Sequence, residues 1–150
     1  LNCSFDKGFG RFALNLWHND LLSFGIPRLN FVRKNMAYIN DVATEFAIGI
    51  LKLANELYEK KEFILSKQIA RSGTSIGANL AESQGAISQR DFLNKQYISF
   101  KECKETLYWL HLIKEMKYVS EDKILLLEKQ CRHIHFMLNK SILTIKSKLE

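Results

Sequence analysis

Residues 68–109, QIARSGTSIGANLAESQGAISQRDFLNKQYISFKECKETLYW, decide how the chain is read. The first half, to Glu82, has helical periodicity but small side chains: Ser72, Gly73, Ser75, Gly77 and Ala78 crowd into about two turns. Ile69, Gly73, Ile76 and Leu80 recur at steps of four, three and four, which places them on one helical face. A glycine inside a helix costs about 1 kcal/mol relative to alanine, so two of them need a reason. Close approach of a neighbouring helix supplies it. The second half carries large side chains and ends in Tyr108, Trp109 and Leu110. The pair reads as a helical hairpin whose smooth arm lets the bulky arm pack tightly.

Working outward, a first helix is expected from about Asn40, a suitable N-cap, to about Glu59, with Val42, Phe46, Ile50, Leu53 and Leu57 as its stripe. Lys60 and Lys61 form a short connection, which favours antiparallel neighbours. The second helix then runs from about Glu62 to Gln84 and stops at Gly85. Ser88 and Asp91 form an S-x-x-D capping box that opens the third helix, which ends near Lys117. On it, Phe92, Ser99, Cys103, Leu107 and Leu110 approximate one face, and Ile98, Trp109, Ile113 and Met116 another. Ser120 caps the fourth, with Glu121 and Asp122 in the first turn, where the helix dipole favours acids. The third and fourth helices are expected to be longer than the first two and to protrude beyond them. The fold class expected is all-α, an antiparallel up-down-up-down four-helix bundle.

The fourth helix bears on assembly. Ile124, Leu127, Cys131, Ile134, Leu138, Ile142 and Ile145 make a regular seam at steps of three and four. Leu126, Phe136, Met137 and Leu143 project elsewhere, yet one core buries only one stripe. A second apolar face implies a second partner surface: another copy of the chain, or residues 1–35 folded back.

The strings RSGTSIGANLAE from Arg71, S-Q-R-D-F from Ser88 and K-E-C-K-E-T-L-Y-W-L from Lys101 resemble the four-helix-bundle family of 23S rRNA intervening-sequence proteins. That family includes the accessory protein of diversity-generating retroelements. The resemblance covers roughly residue 39 to the C-terminus, and RSGTSIGANLAE is its specific part. It implies a homo-oligomer, a pentameric barrel, and association with RNA or DNA without catalysis. In the retroelement branch it also implies partnership with a reverse transcriptase; the other branch is encoded within insertions in 23S rRNA genes.

The 150 residues bound a single core, with 47% hydrophobic and 25% charged residues, ordinary for a globular protein. No run of about 18 apolar residues exists, which argues against a membrane span. Residues 36–150 form the bundle domain of this reading. Residues 1–35 read differently: Phe5, Phe9, Phe12, Trp17, Phe24 and Phe31 are scattered among Gly, Asn and charges, with at most a short helix over 11–22. GFGRFA at 8–13 lacks the preceding strand that a dinucleotide-binding glycine motif requires. The chain opens on Leu1 and Met36 stands just before the family-like region, so residues 1–35 are expected to be an upstream extension or a poorly ordered tail. Cys3, Cys103 and Cys131 form no C-x-x-C pair; they fit a reducing cytoplasm, the last two as small core residues.

No enzyme signature emerges: no E-x-x-H pair for a di-iron site, no nucleophile with a base, no P-loop. No cofactor, metal or catalytic residue is expected. Arg71, Glu82, Glu102 and Glu105 read as a structural polar network that fixes helix register, since buried charges persist only when paired. The net charge of +6 divides evenly, three on residues 1–35 and three on the rest. Cations sit along the helices: Lys67, Arg71, Arg90, Lys95, Lys101, Lys104, Lys129, Arg132 and Lys140. Lys67, Arg71, Arg90, Lys95, Lys129, Arg132 and Lys140 are the candidate nucleic-acid contacts, and Leu126, Phe136, Met137 and Leu143 the candidate oligomer interface. Acids are interspersed, so one bundle is only mildly basic. Five copies would pool about +15 on one particle and attract phosphate backbones by counterion release. The competing expectation is a scaffold whose exposed apolar faces bind an unrelated protein.

Overall fold

The computed structural model describes residues 27–147, with side chains from Met36 onward. Four helices occupy this range: α1 (Pro27–Glu59), α2 (Phe63–Gln84), α3 (Gln89–Glu115) and α4 (Glu121–Lys146). The compact unit that contains the bundle is Lys34–Glu150. The expectations for residues up to 26 lie outside the described range. Among the described residues no helix is long and apolar enough to cross a membrane.

One apolar stripe from each helix meets in the core. Phe46, Ile50, Leu53 and Leu57 of α1, Ile69, Ile76 and Leu80 of α2, and Cys103, Leu110 and Ile113 of α3 are fully buried. The seven seam residues of α4, Ile124 to Ile145, are all buried as their spacing requires. Full burial of an aliphatic side chain contributes about 1.5–3 kcal/mol, so these stripes dominate the stability.

Small polar residues mark where helices come closest. Ser66 of α2 donates its hydroxyl to the Ala54 carbonyl of α1 at 2.7 Å, and Ser99 of α3 to the Ile76 carbonyl of α2 at 3.0 Å. The Cys131 thiol of α4 donates to the Cys103 carbonyl of α3 at 3.4 Å. Arg71 meets Glu105 while Glu82 meets Lys95, and Phe100 stacks on His135 while Lys114 pairs with Glu121. Between α4 and α1, Lys123 reaches Glu56 and His133 reaches Tyr38. In each neighbouring pair the residue number rises along one helix as it falls along the other, so adjacent helices run in opposite senses.

The helix ends correct several expectations. α1 begins at Pro27, not Asn40; proline is suited to the first helical position because its missing N–H needs no partner there. The Asn40 amide instead donates to the Met36 carbonyl one turn back, inside the helix. α1, at 33 residues, is therefore the longest of the described helices and α2, at 22, the shortest, so the expectation that α3 and α4 are longer than both others holds for α2 and fails for α1. The second apolar face expected on α3 is divided: Ile113 is core, Ile98 and Trp109 are half-buried, and Met116 is exposed beyond the helix end.

The capping box at Ser88 forms. Its hydroxyl accepts the Asp91 amide at 3.1 Å, and the Asp91 carboxylate accepts the Ile87 amide at 3.2 Å. Ser120 precedes α4 without a side-chain cap hydrogen bond. Gly85 closes α2 at φ −91°, so this stop uses no left-handed residue. Left-handed backbone falls on Lys61 and Lys117. At Lys61 the amides of Lys61 and Glu62 reach the carbonyls of Tyr58 and Leu57, each at 2.9 Å, the paired bonds of a Schellman stop with lysine where glycine is usual.

Candidate nucleic-acid interface

The helix hairpin brings together three of the four residues expected to form a polar network. Arg71 on α2 reaches across to α3, where its guanidinium bonds Glu105 and lies 4.0 Å from Glu102. Glu105 also accepts the Trp109 indole N–H at 3.1 Å. Glu102 is the strained member. Its Oε2 is buried without a hydrogen bond, and burial, then repulsion from Glu105, raises its pKa against the pull of Arg71. Glu82 stands apart, three turns farther along α2, paired with Lys95. This cluster ties α2 to α3; it has no nucleophile or open donor set.

The seven candidate cations separate into two groups. Arg71, Lys95 and Arg132 each have a carboxylate partner, Arg132 at 3.9 Å from Glu128. Lys140 lies over the Phe136 ring, 4.8 Å from its centroid. Lys67, Arg90 and Lys129 are exposed and make no ion pair with another described residue. The seven do not converge on one surface: Lys67 and Arg71 lie on α2, Arg90 and Lys95 on α3, and the rest on α4.

The apolar residues expected to contact another subunit sort by position. Leu126, Phe136 and Leu143 are 58%, 55% and 58% exposed, whereas Met137 is half-buried. Phe136 and Leu143 belong to an outer ridge of α4 that reads Leu125, Lys129, Arg132, Phe136, Lys140, Leu143 at steps of four, three, four, four and three. Apolar and cationic side chains are mixed along it, so two of the candidate interface residues share a surface with three of the candidate phosphate contacts.

A second ridge escaped the reading of the sequence. On α3, Arg90, Asn94, Tyr97, Lys101, Lys104, Tyr108 and His111 follow at alternating steps of four and three, and all are exposed. Lys104 approaches the Phe100 ring at 5.2 Å, while Arg90 and Lys101 make no ion pair with any described residue. No acid lies on the ridge before Glu115, which His111 approaches at 3.9 Å. The available signal was the step pattern of Tyr97 and Tyr108 with the lysines. Large side chains in a helical stretch read equally well as packing residues, which hides that signal.

On the α4 side of this ridge His135 stacks on Phe100, with ring centroids 4.1 Å apart and planes at 24°. Its Nε2 is buried without a partner. Burial first, then the charges of Lys104 and Arg132, lower its pKa. A base held neutral in the folded state stabilises the fold above its unfolded pKa of about 6.5, and that stability is lost as pH falls through the folded pKa. The urea midpoint of the wild type is therefore expected to drop between pH 7 and pH 5 more than that of His135→Phe, which keeps the stack and removes the titration. Equal drops in the two proteins would assign the effect to other groups.

Residues 37–140 match the 23S rRNA-intervening sequence protein family. The bundle is similar to a crystal structure of a protein of unknown function from the S23 ribosomal protein family of Bacteroides thetaiotaomicron. The two are 42% identical, with a TM-score of 0.68 over 69% of this chain and 97% of that one. No curated protein matches the chain. The family match spans α2 and α3 whole, α1 from Ala37 and α4 as far as Lys140, the RSGTSIGANLAE stretch of α2 within it, and the chain belongs to the 23S rRNA-intervening sequence protein family.

Proposed function

We propose that this is a non-enzymatic, homo-oligomeric protein that binds RNA or DNA without sequence specificity through pooled cations on its outer helix ridges. The observation that carries the reading is the α3 ridge, where Arg90, Lys101 and Lys104 lie in line with no acid among them. A helix of this length presents such a row as a stripe of positive potential, which engages phosphates by releasing counterions. Self-association is supported by the mixed apolar and cationic ridge of α4 and by its complement on the same chain. The outer face of α1 carries three acids, Asp41, Glu45 and Glu59, against one cation, Lys52, all exposed and without ion pairs to described residues, around the half-exposed Ile48. A pentameric barrel, as in the family resemblance, is the assembly this reading adopts, and the cytoplasm its location.

Binding of a labelled RNA of arbitrary sequence is expected to weaken roughly twenty- to fortyfold between 50 and 200 mM salt, the value for about three contacted phosphates. Shuffling the RNA sequence is expected to change it little. Light-scattering mass should be a multiple of the chain mass. Absence of binding at 50 mM salt overturns the nucleic-acid reading, and a monomeric mass at micromolar concentration overturns the assembly.

A second reading, an accessory scaffold for another protein such as a reverse transcriptase, draws on one observation. At the α1–α2 corner Tyr58 packs edge-on against Phe63, their centroids 5.1 Å apart, and Ile64 beside them is 77% exposed. Salt-insensitive capture of such a partner, lost in Ile64→Asp, would favour it.

A further inference from the structure

We propose that the outer ridge of α3 binds single-stranded polynucleotide by stacking bases on Tyr97 and Tyr108, so that the protein prefers single strands to duplexes. This rests on the nucleic-acid reading above and makes it specific. Tyr97 and Tyr108 are 38% and 56% exposed on the ridge line itself. Neither has a hydrogen-bond partner for its hydroxyl among the described residues, and the Tyr108 ring makes a T-shaped contact with its chain neighbour Trp109, centroids 5.1 Å apart. Neither tyrosine belongs to the buried core, and both keep part of the ring open to solvent.

Their surroundings choose the ligand. Lys101 and Lys104 lie between the tyrosines and Arg90 precedes them, so each ring has a lysine beside it on the ridge line. The carboxylates interspersed in this stretch, Glu102 and Glu105, are on the side facing α2 and are engaged by Arg71. An acidic protein segment would satisfy the cations but leave the rings without planar partners. A nucleic-acid strand supplies both, phosphates for the cations and base faces for the rings. Eleven residues separate the tyrosines, about 16 Å along the helix at 1.5 Å per residue. At about 3.4 Å per stacked nucleotide the rings are several nucleotides apart, and they act as two separate platforms with the lysines over the intervening phosphates. In a duplex the base faces are occupied by their own stacking, so only the cations would find partners there.

The test uses the full chain, with fluorescence anisotropy of a labelled single-stranded oligothymidylate and of a duplex of equal length, both at 50 mM salt. Tyr97→Ala and Tyr108→Ala are each expected to weaken single-strand binding roughly five- to a hundredfold, with duplex binding changed less than about twofold. Tyr97→Phe and Tyr108→Phe should retain wild-type binding, because the ring stacks without its hydroxyl. Lys101→Gln with Lys104→Gln should weaken both ligands and flatten the salt dependence. Tyr108 is more than half exposed, so a circular dichroism melt is expected to be unaltered by its changes, while Tyr97→Ala, at a ring only 38% exposed, should lower the melt slightly and leave the protein folded at assay temperature. If the wild type binds both ligands and the alanine variants lose neither, or lose both alike, stacking is overturned while nucleic-acid binding stands. If the wild type binds neither, the reading beneath it falls as well.

Discussion

Gly73→Val is expected to lower the unfolding free energy by about 3 kcal/mol, whereas Gly77→Ala is expected to raise it by about 1 kcal/mol. The two glycines are one helical turn apart in the same motif, so the opposite signs test packing and not composition. A Cβ placed on Gly73 would come within 2.7 Å of Cγ2 and 2.9 Å of Cγ1 of Ile50, and 3.1 Å from its Cβ. Those atoms sit next to the α1 backbone on a branched side chain with one favoured rotamer in a helix, so they cannot swing away. Valine adds two further carbons to that clash. A Cβ on Gly77 meets the Ala43 carbonyl oxygen no closer than 3.8 Å, ordinary van der Waals contact, and only the gain in helix propensity remains. Gly49 lies between these cases: its added Cβ meets only the far end of Leu127, at 2.9 Å, and alanine there should be near neutral. Urea denaturation with a common m-value checks all three. A stable Gly73→Val would mean that α1 and α2 are not held by the contact between Ile50 and Gly73.

The same contrast separates what the sequence discloses from what it does not. The stripe Ile69, Gly73, Ile76, Leu80 and the seam of α4 are legible because burial at steps of three and four leaves no alternative face for large aliphatic groups. That one glycine is forced and the other optional depends on what stands opposite, Ile50 against Ala43, and a single chain read in order does not disclose the partner. Asn40 illustrates a different failure. It is a favoured N-cap residue, but its amide has an equally good acceptor one turn back, and Pro27 was the better start signal. Glu82 was grouped with Arg71 because both lie in one motif, yet eleven helical residues are about 16 Å. Proximity in a motif became proximity in space only for Arg71, Glu102 and Glu105, which face each other across the hairpin. The candidate cations were legible as residue types and not as a surface, since ion pairs to Glu82, Glu105 and Glu128 remove three of them from general availability.

Gln96→Met is expected to raise the unfolding free energy by about 1–2 kcal/mol, because the wild-type side chain leaves a polar atom unsatisfied in the core. Gln96 is fully buried on α3. Its Nε2 donates to the Met36 sulfur of α1 at 3.2 Å, a weak acceptor, and its Oε1 has no partner. An unsatisfied buried amide oxygen costs about 1–3 kcal/mol, and methionine is close to glutamine in length while carrying no such atom. Met36 is the hinge of the arrangement, since Ser141 of α4 also points its hydroxyl at that sulfur, at 3.9 Å. Met36→Leu should therefore destabilise the wild type by about 1–2 kcal/mol, by stranding the Nε2 donor, but should cost less in the Gln96→Met background, where no donor remains. Three helices share this one polar contact, which gives the pair a reason to persist at a cost in stability: it selects the register of α1 against α3 and α4. A Gln96→Met variant with a higher midpoint and a lower m-value would carry that signature, more stable yet less uniquely packed. A lower midpoint would show instead that Oε1 is solvated by a buried water, which methionine displaces without replacing its hydrogen bonds.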